Sequence, residues 1–112
     1  MLRGSGRHSG RDYRFEGVVE GDGGSGVADE TELLAFADAA VSADGDLTAA
    51  RSALIALIGL EAMADAAAVV AGFDAITRVA DGTGIPLESP KAEASAGWRA
   101  SVGIDDYWAA KV

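Results

Sequence analysis

Charged side chains one helical turn apart are the residues here best placed to do chemistry, and they form two groups. Glu61 and Asp65 stand four positions apart, so on a helix they share a face. Two carboxylates held this way divide the work of a general acid and a general base when their surroundings push their pKa values apart. They would equally suit the positive end of a helix dipole, and that reading requires no active site. Asp74, Arg78 and Asp81 form the second group. Their i,i+4 and i,i+3 spacings put a guanidinium between two carboxylates on a narrow arc of helix surface. Such a set is either a solvated ion-pair strip or a semi-buried network at the lip of a groove or at a subunit interface. In the second form Arg78 can hold a ligand carboxylate in its planar fork, and its loss strands two like charges. The apolar residues on both flanks favour the second form.

Other chemistries find little support. The chain has no cysteine, which removes thiolate nucleophiles, disulfides and zinc–thiolate sites. His8 is the one histidine and lies in a glycine-rich stretch with no ligating neighbour. Asp44-Gly45-Asp46 suggests a calcium loop. With Gly45 at the sixth place, that loop runs from Ala40 to Arg51, where carboxylates are required, so a capped turn remains. Gly23-Gly24-Ser25-Gly26 follows no strand pattern and lacks the Gly-Lys-Ser ending of a phosphate loop; it has the composition of a linker. No cofactor and no metal are expected, and no catalytic residue is assigned.

The elements that would position these residues are helical. Over 30–42, Leu33, Leu34, Ala37, Ala40 and Val41 recur at helical spacing behind Asp29 and Glu32, which read as a capping box. Over 47–58, Asp46 caps a face of Leu47, Ala50, Leu54, Leu57 and Ile58, and Gly59 ends it. The longest pattern, 61–81, carries both charged groups. It has a large-residue stripe of Val69, Val70, Phe73, Ile76 and Ala80 and a small-residue stripe of Ala64, Ala68, Ala71 and Ala75, with Gly82 as its stop. Two apolar sides predict burial against its own chain on one and close approach of a second subunit on the other. A fourth helix is expected over 90–101, with Ser89 as cap, Pro90 at the first position and Gly103 beyond it. Tyr107 and Trp108 are expected to dock. Residues 1–28 read as a flexible glycine- and arginine-rich arm, in which Phe15, Val18 and Val19 form at most one short strand or dock on the body. Residues 29–112 read as the helical domain. The fold class is therefore all-α, a small bundle of three main helices and a short fourth.

Charge narrows the partners. The chain of 112 residues carries a net −9. In residues 1–14 four arginines against one aspartate give +3, and the remainder, with five basic and seventeen acidic residues, gives −12. An acidic body argues against nucleic acid. The longest uncharged apolar run, Ser52 to Leu60, is far short of the roughly 20 residues of a membrane span, and the basic N-terminus leads into no apolar stretch of a secretory signal. The expected setting is cytoplasmic and bacterial. The expected partner is a further copy of the chain, with no nucleic acid, no membrane and no identified small-molecule ligand.

The run FDAITRVADGTGIPL, preceded by DAAAVVAGF, resembles the last core helix of the carboxymuconolactone decarboxylase and alkylhydroperoxidase-like superfamily. Those proteins often carry an F-N-x-x-x-R-x-A-D ending and a T-G-I-P-L turn. The closing GWRASVGIDDY is similar to the short L-R-x-x-L-G-I-D tail that often follows. The resemblance covers about residues 29–108. It maps onto Phe73, Arg78, Ala80 and Asp81 and the turn from Thr83 to Leu87, with Asp74 where asparagine is frequent. It implies an all-α, homo-oligomeric protein. The peroxidase branch works through a Cys-x-x-Cys pair with a histidine and a glutamate, and this chain carries no such cysteine. The resemblance therefore implies a non-peroxidatic helical module acting through oligomerisation. The alternative is a decarboxylase-like enzyme or carboxylate-binding protein using a groove near Arg78.

Overall fold

A computed structural model describes residues 8–21, 23–42 and 45–106. Five helices stand out among them, α1 (Glu16–Glu20), α2 (Glu30–Ser42), α3 (Leu47–Ile58), α4 (Leu60–Thr83) and α5 (Ser89–Ser101), with no strand among the described residues. Contacts divide the chain into two units. One is Val27–Ile85; the other joins the described residues of Met1–Gly26 to those of Pro86–Val112.

In the first unit α2, α3 and α4 all touch one another. Their shared core is Phe36, Leu54 and Met63, with Leu33, Ile55, Ile58, Ala66 and Ala67 half-buried around it. Leu54 is fully enclosed. The helix ends follow local chemistry. Asp46 accepts the Ala49 N–H at 2.9 Å, the expected side-chain cap. Gly59 ends α3 and opens α4 at φ 86 and ψ 164, a region that only glycine enters freely. Asp29 sits at φ 56 instead of the extended backbone usual for a cap; its carbonyl still accepts the Leu33 N–H at 3.1 Å.

Several expectations are corrected here. The core of α2 is Phe36 and Ala39, whereas Ala40 and Val41 of the expected face are exposed. On α3, Leu47 and Leu57 are exposed. Helix α4 runs through Gly82 and stops at Gly84, which takes the left-handed conformation at φ 65; the Thr83 hydroxyl donates to the Val79 carbonyl at 2.7 Å and extends the last turn. On the fourth helix Glu88 holds the cap position and Ser89 is the first helical residue.

The second unit has its own internal logic. Phe15 stacks on Trp98 with ring centroids 5.1 Å apart. The expected strand at Phe15–Val19 is instead the short helix α1. It ends at Gly21 in the left-handed conformation. The glycine run beyond it bends back: Arg14 donates its N–H to the Ser25 carbonyl at 2.9 Å, and Ser25 is buried. A Cβ at Gly17 would collide with the Gly23 carbonyl, so this turn closes only because Gly17 has no side chain. Asp44, Tyr107 and Trp108 lie outside the described residues.

Candidate interaction surface on the longest helix

Helix α4 is 24 residues long, about 36 Å at the α-helical rise. Helices α2 and α3, of 13 and 12 residues, are each about half as long, and the core they share with α4 lies in its first half. Within that half, Met63 is buried and Ala66 and Ala67 are half-buried. The large-residue stripe lies elsewhere. Val69, Phe73 and Ile76 are 58%, 54% and 66% exposed, and at 100° per residue they point about a quarter turn away from the core-facing side. Val79, 60% exposed, extends that apolar surface. The small-residue stripe of Ala64, Ala68, Ala71 and Ala75 is exposed as well. The expected burial of α4 against its own chain is corrected in its position: the unit's core takes Met63, Ala66 and Ala67, which belong to neither stripe.

A shallow, open groove of about 380 Å³ runs along this region, lined by Ala37 and Val41 of α2 and by Val69, Val70, Phe73, Asp74 and Thr77 of α4. Asp74, half-buried, is its one ionisable side chain. The Arg78 Nε–H donates to the Asp74 carboxylate at 2.9 Å, and the arginine side chain is 71% exposed. This hydrogen bond, and after it the carboxylate's charge, raises the Arg78 pKa. Within the single chain the Arg78 head is therefore in water rather than semi-buried in the groove. Asp81 is exposed on the same helix. Glu61 and Asp65 are exposed near the start of α4; only Glu61 lies in its first turn, where a helix dipole favours it. Thr77 and Thr83 hydroxyls are turned back on main-chain carbonyls of their own helix, so neither is offered to a ligand. Among the described residues no group of three or more His, Asp or Glu side chains is placed to hold a metal ion.

The arginine that is held in place is one that sequence spacing passed over. In the second unit Arg99 is 22% exposed at its side chain and bonds the Asp105 carboxylate at 2.8 Å and the Ala92 carbonyl at 3.1 Å. With Pro86, Leu87, Ala92 and Asp105 it lines an open cavity of about 350 Å³. Its acidic partner is six residues on, past a helix end, where no i,i+4 rule looks. The available signal was the pair Asp105-Asp106 just beyond the Gly103 turn.

No helix of the described residues is long and apolar enough to cross a membrane. Compared with family models, curated proteins and solved structures, the chain matches none of them.

Proposed function

We propose that this chain is a cysteine-less helical module that acts by associating with copies of itself, built on the plan of the carboxymuconolactone decarboxylase and alkylhydroperoxidase-like superfamily and without thiol peroxidase chemistry. One observation carries the reading. The outer face of α4 presents Val69, Phe73, Ile76 and Val79, each more than half exposed, in a continuous run. Apolar surface of that extent on a small domain marks an interaction site, and association removes it from water at about 25 cal/mol per Å². The resemblance at residues 73–87 supports the same kind of protein. A carboxylate site at Arg78 has less in its favour, because the guanidinium stands in solvent and already has Asp74 as partner.

Light scattering of the purified chain tests the proposal. The expected mass is at least twice 11.3 kDa; a monomer at tens of micromolar overturns it. A parallel assay of peroxide consumption with a dithiol reductant is expected to give the buffer rate, since the nucleophile of that chemistry is a thiolate.

A further inference from the structure

We infer that two copies of the chain pair through α4 in antiparallel orientation, with the two-fold axis passing beside Ile76. This rests on the self-association reading and adds its geometry. The outer face of α4 is self-complementary about Ile76. Three residues before it is Phe73 and three after it is Val79, both exposed. Four before it is Gly72 and four after it is Ala80. In an antiparallel pair centred there, Phe73 of each copy meets Ala80 of the other, Val79 meets Gly72, and Ile76 meets its own copy. Large side chains thus enter the spaces left by small ones, as close helix packing requires.

Gly72 is the independent sign. It sits in mid-helix, where glycine weakens a helix relative to alanine. Among the described residues nothing packs there: a Cβ built on Gly72 meets no atom within 4 Å, as is also so at Gly82 and Gly97. A partner's Val79 lying against the Gly72 backbone would occupy that space.

Charge selects the orientation and the centre. The chain is acidic, and Asp74, Arg78 and Asp81 fall on the side of α4 away from Ile76 at 100° per residue. Glu61 and Asp65 are the charged residues from Leu60 to Thr83 that line up with the apolar stripe, Glu61 five full turns before Val79 and Asp65 within about 20° of Ile76 at 100° per residue. A parallel pair would set Asp65 against its own copy, a like-charge contact that costs stability. The antiparallel pair centred at Ile76 overlaps from Val69 to Thr83, about 20 Å of helix, and leaves Asp65 outside. An antiparallel pair also opposes the two helix dipoles favourably. A contact between two single helices lies at the small end of specific interfaces, so the expected dimer dissociates on the order of micromolar concentration.

Gly72→Leu separates this geometry from general apolar adhesion. Leucine is a good helix former and adds apolar area, so adhesion would strengthen. The antiparallel contact has no room for it and is expected to weaken at least tenfold by analytical ultracentrifugation, with helical circular dichroism retained. Disulfide trapping reads the orientation, since the chain has no cysteine of its own. F73C mixed with A80C is expected to cross-link, and neither alone. If wild type associates but G72L associates as well or better, or F73C and A80C each cross-link only with themselves, the geometry is overturned while self-association stands. A wild-type chain that remains monomeric at tens of micromolar overturns both and assigns the stripe to a different protein.

Discussion

From Leu60 to Val70, α4 turns Met63, Ala66 and Ala67 into a core shared with α2 and α3. From Ala71 to Thr83 the same helix buries none of its large apolar residues, and Phe73, Ile76 and Val79 face outward. Both halves are alanine-rich and helical, and each shows a stripe at helical spacing. The difference is whether another helix lies alongside. Apolar periodicity therefore marks a face that requires a partner, but not whether the partner is in the same chain. A second contrast sharpens this. Arg78 and Arg99 both pair with an aspartate, yet Arg78 stands 71% exposed and Arg99 22%. The arginine with ideal helical spacing is solvated, and the one with an irregular loop partner is tied down.

The largest expected effect tests the halves directly. Leu54→Ala leaves a cavity at the one large side chain fully enclosed among the described residues and is expected to cost about 2–5 kcal/mol, read by urea unfolding. Ile76→Ala, measured where the chain is dilute, is expected to cost well under 1 kcal/mol as an outward-facing change (roughly the range of surface substitutions). Equal losses would erase the distinction between the halves.

Arg99→Met is next. It leaves the Ala92 carbonyl without its guanidinium donor in a part-buried setting, for an expected loss of about 1–2 kcal/mol. Arg78→Met is expected to shift the melting temperature by at most a few degrees, in line with exposed pairs, and by less than Arg99→Met does. A larger shift for Arg78 than for Arg99 would reverse the second contrast.

Asp46→Ala removes the side-chain acceptor for the Ala49 N–H and is expected to cost about 1 kcal/mol. Asp46→Asn, which keeps an acceptor, should recover most of it.

The smallest effect is set by pH. The Lys91 hydrogen bond, and then its charge, lowers the Glu88 pKa, over an ion pair of 2.8 Å that is well exposed on both sides. A depressed carboxyl favours the folded state above the ordinary glutamate value of about 4.3 and loses that contribution as pH falls through the lowered folded value. Glu88→Gln should therefore lower the melting point slightly at neutral pH and not at all in stronger acid. A difference that grows on acidification would give the shift the opposite sign.

Helix identity and most helix ends were determined by the sequence alone. Spacing placed α2 at 30–42 and α3 at 47–58, and the structure has Glu30–Ser42 and Leu47–Ile58, because caps such as Asp46 and stops such as Gly59 are local chemistry. Which faces meet was decided only in three dimensions. Phe36 escaped the periodic reading of α2, and the large-residue stripe of α4 was read only as one of two sides to be buried, because periodicity ranks residues by hydrophobicity while burial depends on which neighbours reach them. Helices of 13 and 12 residues are each about half as long as a 24-residue helix. The glycines after α1 read as linker because composition records only their freedom. The backbone uses that freedom to bring the Ser25 carbonyl to the Arg14 N–H, a contact between residues eleven apart that the fold, not the local sequence, selects. Arg99 was invisible for the same reason: its bond to Asp105 spans the end of a helix, and only the path of the chain through that turn sets the distance.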